Sequence, residues 1–226
     1  MLKPFDGVEI ETGANPRWTV IWLHGLGADG RDFEPIVPEL VGDDWPPIRF
    51  VFPHAPVRAV TINGGVRMRA WYDILGTEIA QRQDEHGMRA SIEMVNQLIA
   101  RENTRGVASE RIVIAGFSQG GAIALAAALR YPSKLAGVVA LSTYLPIAEN
   151  SAAERSEANR GLPVFMAHGN LDPVVGHALG QMSRGYLEQL GYVVDWHSYP
   201  MPHSVCAEEI SDLARWLGAR IKASAD

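Results

Sequence analysis

The pentapeptide G-F-S-Q-G at residues 116–120 constrains the fold of this chain more than any other segment. It follows the short apolar run Arg111–Phe117 and opens the Ala-rich stretch Gln119–Arg130, which has helix-forming composition. A G-x-S-x-G motif between a strand and a helix predicts a sharp, strained turn that exposes its serine, Ser118, above a sheet. The glycines fit this interpretation, because Cβ atoms at their positions would crowd the neighbouring backbone. The alternative is an ordinary glycine-rich turn with a capping serine.

Apolar runs and helical patterns alternate along the rest of the chain. The other runs with the length and composition of strands are Trp18–Leu23, Ile48–Phe52, Gly137–Leu141, Pro163–Ala167 and the less uniform Tyr192–Tyr199. Helical spacing of apolar residues extends over Met88–Ile99, Leu179–Leu190 and Ile210–Ile221. This alternation predicts a three-layer α/β fold, with helices on both faces of a mainly parallel sheet. We expect one domain over residues 1–226, with the polar stretch 148–161 as a surface excursion.

Charge and composition exclude several classes of protein. A formal net charge of −6 argues against a nucleic-acid binder, which normally carries a basic patch. No run approaches the roughly 18 apolar residues that a membrane span needs, so we expect no stable membrane insertion. Residues 1–7 lack the apolar core of a signal peptide, and the single cysteine, Cys206, cannot form a disulfide within the chain. We therefore expect a cytoplasmic protein.

Two residues downstream of Ser118 are candidates for the acid and base that a serine nucleophile requires. In folds with such a turn, the acid and the histidine follow the serine in that order. Asp172 comes just after the strand Pro163–Ala167, and His203 comes after the last strand. Both therefore belong to loops at the carboxyl ends of parallel strands, the edge at which Ser118 lies. We predict Ser118 as the nucleophile, Asp172 as the acid and His203 as the base.

Other side chains compete for these roles, since the chain has 7 histidines. Asp195 and His197 lie two positions apart in the last strand and share one of its faces. A structural or surface role is the default for the histidines that follow apolar runs or begin a helix, namely His24, His54, His168 and His177. Its place after the last strand distinguishes His203 from all of them.

Two backbone amides are expected to bind the oxyanion. One belongs to Gln119, the residue after the nucleophile, and the other to the H-G-L-G-A-D-G loop at residues 24–30. We place the second donor at Leu26, with Gly27 as the alternative. This loop matches no phosphate-binding pattern, and the chain has no metal-binding motif, so no metal and no cofactor are expected. Cys206 could be a nucleophile, but a small, half-buried side chain at the start of the last helix is the favoured interpretation.

A series of motifs between Val20 and Cys206 resembles one known family. They are H-G-L-G-A-D-G at 24–30, F-P-H-A-P at 52–56, N-G-G at 63–65 with W-Y-D at 71–73, G-F-S-Q-G-G at 116–121, L-S at 141–142, H-G-N-L-D-P-V-V at 168–175 and M-P-H-S at 201–204. Together they resemble the small carboxylesterase, acyl-protein thioesterase and lysophospholipase family of α/β-hydrolases. The resemblance implies an α/β-hydrolase fold, a Ser118–Asp172–His203 triad and an oxyanion hole at the amides of Leu26 and Gln119.

The resemblance also implies small-molecule acyl ester or thioester substrates, lysophospholipids or S-acylated proteins. The T-Y-L-P at 143–146 departs from the C-W-L-P common among eukaryotic thioesterases, which favours small-ester hydrolysis over protein depalmitoylation. We predict a serine carboxylesterase that forms an acyl-enzyme, with acyl-protein thioesterase or lysophospholipase as alternatives at the same site. A serine nucleophile disfavours a C–halogen hydrolase, and a full set of candidate residues disfavours an inactive binding protein; a C–C hydrolase or perhydrolase stays open.

Two features bear on the acyl chain. Trp71, Tyr72, Ile74 and Leu75 follow a glycine pair and either line an acyl channel or belong to the core beneath a loop. The connections between elements look too short and too polar to form a large cap domain or lid. We therefore expect a preference for short- to medium-chain esters without activation at a lipid interface. The sequence leaves open whether the protein is a monomer or a homodimer.

Overall fold

The computed structural model describes residues 5–77 and 82–223. The predicted domain also includes residues 1–4, 78–81 and 224–226, which lie outside the described residues. The strands within the described ranges are β1 Gly7–Glu11, β2 Trp18–Leu23, β3 Ile48–Pro53, β4 Val57–Val60, β5 Val66–Arg69, β6 Ile112–Phe117, β7 Gly137–Leu141, β8 Val164–Gly169 and β9 Val194–Tyr199. The α-helices there are α1 Val37–Leu40, α2 Glu85–Thr104, α3 Gln119–Arg130, α4 Ala148–Glu154, α5 His177–Gln189 and α6 Ala207–Ala223.

Seven strands form one sheet in the order β1-β3-β2-β6-β7-β8-β9. β1 pairs with β3 antiparallel, and all the other neighbours in this sheet are parallel. The central strands β2, β3, β6, β7 and β8 are almost entirely buried because helices cover both of their faces. Their parallel direction brings the carboxyl ends of β6, β8 and β9 to one edge of the sheet. The mainly parallel, three-layer architecture predicted from the sequence is confirmed.

Two apolar clusters lie on the two faces of the sheet. One is formed with α2, α3 and α5, and it includes Val95 of α2, Ile123 of α3 and Leu187 of α5. The other is formed with α1 and α6, and it includes Leu40 and Trp216. The long helices α2, α5 and α6 are amphipathic. In α3, by contrast, residues 119–129 are all buried, as its Ala-rich composition allows. This buried helix holds the turn at Ser118 against the centre of the sheet.

The structure departs from the sequence prediction in three places. β1 was not predicted, because it is a half-buried edge strand without a continuous apolar run. The connection from β3 to α2 is not short: it contains β4 and β5, which form a separate two-stranded antiparallel sheet. These strands are largely exposed, so their sequences show no apolar alternation that would reveal them. Finally, stretch 148–161 is not simply a surface excursion, since it contains α4 and buries Ser151 and Asn159.

Within residues 5–77 and 82–223, none of the helices has the length and apolar character needed to cross a membrane.

Candidate active site

Ser118 occupies a strained turn between β6 and α3. Its φ of 53° and ψ of −120° fall in a region that non-glycine residues rarely adopt. The Ser118 amide donates to the carbonyl of Leu141 at 2.9 Å, which ties the turn to the end of β7. Cβ atoms at Gly116 and Gly120 would overlap the backbone of Gly120 and of Leu23, respectively. The turn therefore requires glycine at both positions, as the sequence pattern predicts.

Three side chains from separate loops form a continuous hydrogen-bonded chain at the carboxyl edge of the sheet. His203 Nε2 lies 2.9 Å from Ser118 Oγ, and His203 Nδ1 lies 2.7 Å from Asp172 Oδ2. An ionised carboxylate only accepts hydrogen bonds, so Nδ1–H donates to it and Nε2 is left to accept the serine hydroxyl proton. This assigns the tautomer that a general base next to a serine requires.

Asp172 is held by its own loop. Its side chain is fully buried, and Oδ1 accepts hydrogen bonds from the amides of Val174 at 2.8 Å and Val175 at 2.9 Å. These bonds satisfy one oxygen and leave Oδ2 directed at His203. Buried carboxylates need such partners, because desolvation otherwise disfavours the charged form.

The loops that carry Asp172 and His203 are joined by their backbones. The amide of Leu171 donates to the carbonyl of Met201 at 3.2 Å, and the amide of Asn170 donates to Tyr199 at 2.9 Å. A Cβ at Gly169 would overlap the carbonyls of Met201 and Pro202, so the close approach of the two loops depends on this glycine. The separation between the acid and the base is thus fixed by backbone contacts.

The imidazole of His203 also rests on an aromatic ring. The ring centroids of His203 and Phe117 lie 4.7 Å apart with an interplanar angle of 45°. Phe117 directly precedes Ser118, so the same turn that presents the hydroxyl also supports the base. The second position of the G-F-S-Q-G motif therefore has a packing role that the glycine pattern did not indicate.

The amides predicted to bind an oxyanion differ in their hydrogen bonding. The Gly27 amide donates to the Arg69 carbonyl at 2.9 Å, so this alternative donor is already engaged. Among the described residues, the Leu26 amide has no protein acceptor. Gln119 is the first residue of α3, where an amide has no intrahelical partner. Of the two donors considered in the early loop, Leu26 is the free one.

Two side chains near the turn were missed as candidates. Thr143 Oγ1 donates to the Ser118 carbonyl at 2.6 Å, which holds the turn from the β7 side. The Gln119 side chain accepts from the Trp71 amide and donates to the Tyr72 carbonyl, both at 2.8 Å. It thereby joins α3 to the connection between β3 and α2. Neither contact has a local sequence signature, because the partners are distant in the chain.

Among the described residues, none of the competing side chains is hydrogen-bonded to Ser118. His197 Nε2 lies 3.0 Å from Asp195 Oδ1, and Nδ1 lies 3.3 Å from Asp212, on the outer strand β9. His24 Nε2 accepts from the Ala55 amide at 3.0 Å, and burial lowers its pKa, so it is a neutral structural residue. Burial raises the pKa of the Cys206 thiol, which is the opposite of what an activated nucleophile needs.

The four residues proposed for an acyl channel divide into two pairs. Trp71 and Tyr72 are buried in the core, with exposures of 0% and 3%, which favours the core interpretation for both. The Tyr72 hydroxyl is hydrogen-bonded to that of Tyr144 at 2.9 Å. Ile74 and Leu75 are half-buried. Of the four, Ile74 and Leu75 have the side chains that a substrate could reach, and contact with substrate stays a prediction for them.

Metal chemistry has no candidate ligands in the part of the chain that the structure describes. There, no three His, Cys, Asp or Glu side chains are grouped closely enough to hold a metal ion.

Comparison with known proteins identifies the family of the chain. Residues 6–221 match the model of the Phospholipase/Carboxylesterase family. An acyl-protein thioesterase 1 of Cryptococcus neoformans is 39% identical over 221 residues, covering 90% of this chain and 92% of that protein. A probable carboxylesterase of Oryza sativa is 35% identical, covering 93% of this chain and 80% of that protein. The crystal structure of Arabidopsis thaliana SOBER1 is 30% identical with a TM-score of 0.86, covering 90% of this chain and 99% of that chain. The chain therefore belongs to the phospholipase/carboxylesterase family of α/β-hydrolases and is a carboxylic ester hydrolase.

Proposed function

We propose that the protein is a serine carboxylesterase for short- to medium-chain esters, with Ser118 as nucleophile, His203 as base and Asp172 as acid. The observation that carries the proposal is the unbroken hydrogen-bonded chain from buried Asp172 through His203 to Ser118 Oγ. Ser118 attacks the acyl carbonyl while His203 Nε2 takes its proton. His203 then returns that proton to the departing alkoxide, and an acyl-enzyme results. Water hydrolyses the acyl-enzyme by the same proton transfers.

The oxyanion of each tetrahedral intermediate would lie between the amides of Leu26 and Gln119. The start of α3 supports this role, since a helix N-terminus favours negative charge. Such preorganised donors act on charge that develops only in the transition state. The buried Asp172 carboxylate would hold the tautomer of His203 and stabilise the imidazolium that forms.

The sequence and the relatives support both an ester and a thioester substrate. The T-Y-L-P at 143–146 and the probable carboxylesterase among the relatives support small esters. The relative named acyl-protein thioesterase 1 supports an S-acylated protein as the second candidate substrate. Both reactions use the same nucleophile and base, so the site does not distinguish them. The thiol leaving group needs less protonation than an alkoxide does.

The test compares nitrophenyl esters from acetate to palmitate with a palmitoylated peptide and with lysophosphatidylcholine. Each buried CH₂ is expected to add about 0.8 kcal/mol, or about fourfold in kcat/KM, until the acyl pocket is filled. We expect the rate to level off or fall at medium chain length, and no jump as a substrate forms micelles. A higher kcat/KM for the palmitoylated peptide than for every nitrophenyl ester would replace the proposal by the thioesterase alternative.

Covalent labelling tests the nucleophile independently of substrate choice. A fluorophosphonate should label the native protein at Ser118 and should fail to label Ser118→Ala. Labelling elsewhere would refute the assignment of the nucleophile. The single domain, the cytoplasmic location and the choice between monomer and homodimer remain predictions, and sedimentation analysis decides the last.

A further inference from the structure

His168 lies beside the proposed acid, Asp172, and is not used in the proposed mechanism. It is the penultimate residue of β8 and is 1% exposed. Its Nε2 lies 2.8 Å from the carbonyl oxygen of Val175 and 3.4 Å from Asp172 Oδ2. That carboxylate oxygen is the one that accepts from His203 Nδ1. Two imidazoles therefore lie near the same oxygen of Asp172.

The contacts of His168 fix its protonation. Nε2 carries the proton, because the Val175 carbonyl can only accept a hydrogen bond. Nδ1 is buried and has no hydrogen-bond partner among the described residues. Burial lowers the pKa of His168, and the titratable groups that act on it are Asp172, His177 and His203. His168 is therefore a neutral donor, and it adds no second positive charge beside Asp172.

The Val175 peptide unit connects this histidine to the acid. Its amide donates to Asp172 Oδ1 at 2.9 Å, and its carbonyl accepts from His168 Nε2 at 2.8 Å. A closed ring of contacts therefore runs from His168 through Val175 to Asp172 and back. Because β8 holds His168 and the ring orients the carboxylate, a shift of His168 would rotate Oδ2 away from His203.

The His168 ring is itself held in place. It stacks at 6.2 Å on Trp196 of β9 and meets the ring of His177 of α5 edge-on at 5.7 Å. A Cβ at Gly180 would overlap His168 Nδ1, so α5 packs directly against the ring. The ring is thus enclosed by β8, β9 and α5.

We propose that His168 is a positioning residue of the active site: its N–H, donated to the Val175 carbonyl, holds the peptide unit whose amide orients the Asp172 carboxylate toward His203, and its position 3.4 Å from Oδ2 moderates the charge there. The inference rests on the proposed function, since it assigns a role through the acid. The N–H of His168 partly offsets the negative charge on Oδ2. Without it the full charge of Oδ2 would act on the imidazolium of His203, and the pH profile of turnover would move to higher pH.

The experiment compares His168→Leu with His168→Gln by following nitrophenyl acetate hydrolysis from pH 5 to 9. Leucine keeps apolar volume but has no donor, whereas the glutamine amide can donate near the position of Nε2. For leucine we expect kcat about tenfold lower with KM within about twofold, as for a small misplacement of a catalytic group. We also expect the ascending limb of the pH profile to move up by about half a unit. Glutamine should restore most of kcat and the position of the limb.

Two further variants, His168→Asn and Ser118→Ala, serve as a replacement and as a control in this experiment. If His168→Leu does not fold, His168→Asn replaces it, since its shorter amide cannot reach Val175 and should show the same shift. A lowered melting temperature with an unmoved pH limb would mean a purely structural role and would overturn the inference. A limb that moves to lower pH would overturn it as well. Ser118→Ala separates this failure from that of the proposed function: if it retains turnover, the triad assignment is wrong, whatever the His168 variants do.

Discussion

Two buried carboxylates lie at opposite edges of the same sheet, and their surroundings differ in kind. The Glu102 side chain, with 0% exposure, lies among three arginines at the amino edge. Its oxygens are 2.7 Å from Arg49, 2.9 Å from Arg101 and 2.8 Å from Arg105, and the Thr19 hydroxyl donates to it at 3.0 Å. The Asp172 side chain is equally buried at the carboxyl edge, but its partners are backbone amides and imidazoles.

The contrast shows how one fold divides stability from chemistry. At the amino edge, the arginines already compensate the charge of Glu102 in the resting protein. This ion network therefore adds rigidity and takes no part in proton transfer. At the carboxyl edge, neutral dipoles support Asp172, and its positive partner forms only when His203 takes a proton. A carboxylate in that state favours the imidazolium of the transition state over the resting imidazole. Replacing Asp172 should therefore lower turnover, whereas replacing Glu102 should lower stability.

Changes at the carboxyl edge should give the largest effect, on turnover. We expect Ser118→Ala and His203→Ala to lower kcat by about 10⁴–10⁶ and Asp172→Ala somewhat less, as in other triad enzymes. The losses should not add in double variants, because the three groups act as a unit. Steady-state hydrolysis of nitrophenyl acetate measures this, with the unfolding midpoint as a check on the fold.

Asp195→Ala is the matched control, since Asp195 also contacts a histidine but lies on the outer strand β9. It should leave kcat within about threefold of the native value, as expected for a change outside the catalytic unit. A damaging Asp195→Ala beside a mild Asp172→Ala would reverse the assignment of the acid.

A change at the amino edge should give the largest effect on stability. Glu102→Gln removes one charge and leaves Arg49, whose side chain is 8% exposed, with a single carboxylate partner in Glu11. Breaking a buried ion pair in this way costs about 3–5 kcal/mol in the free energy of unfolding. We expect that loss in urea denaturation, with kcat of the folded fraction unchanged.

The surface pair of Arg160 and Glu157 provides the control for this measurement, since both side chains are more than half exposed. Glu157→Gln should change the free energy of unfolding by less than about 1 kcal/mol, the usual range for an exposed pair. An equal loss in the two variants would mean that burial does not distinguish the Glu102 network.

The sequence predicts the functional residues of the carboxyl edge but not the ion network of the amino edge, for a physical reason. Ser118 is locally encoded, because its turn needs glycines at fixed positions and a strand and helix on either side. Asp172 and His203 follow from chain order and from the common edge at which parallel strands end. The Glu102 network has no such signature, since Thr19 and Arg49 are 83 and 53 positions from it in the chain. Only the folded sheet reveals that these charges meet.

The same argument explains the other omissions. Strands β4 and β5 are exposed, so the apolar pattern that reveals buried strands is missing from them. Trp71 and Tyr72 were ambiguous because an aromatic side chain has the same sequence signature in a core as in a substrate channel. Their burial could be decided only by the contacts across the fold, such as the Gln119 side chain that holds their backbone.

A third buried carboxyl, that of Glu209, should make the free energy of unfolding depend on pH. Glu209, in the first turn of α6, is 0% exposed, and burial raises its pKa to about 8, with only a partial opposing effect from the Cys206 backbone. The unfolded chain releases this proton near the ordinary value of 4.5, whereas the folded chain keeps it until about pH 8. Unfolding therefore releases a proton between these values, and the free energy of unfolding falls as pH rises through that window.

Glu209→Gln should remove this dependence, since glutamine stays neutral at every pH. We expect the variant to gain stability relative to the native protein between pH 5 and 8.5, by a total of a few kcal/mol at most. Urea denaturation of both proteins at these two pH values gives the difference. A constant difference across the window would show that Glu209 is ionised in the folded protein despite its burial.

The smallest effect concerns the connection between β3 and α2, which the sequence did not predict to be structured. Asp84 caps α2: Oδ1 accepts from the Gly87 amide and Oδ2 from the Asp73 amide, both at 2.9 Å. Asp84→Ala should cost about 1 kcal/mol in the free energy of unfolding, the typical value of an N-cap. Asp84→Asn should recover only part of it, because its single oxygen can cap the Gly87 amide while its NH₂ group, a donor, faces the Asp73 amide. If the connection also steadies the carboxyl edge through Gln119, Asp84→Ala should lower kcat slightly. An unchanged kcat with the expected loss of stability would show that Asp84 contributes to stability and not to turnover.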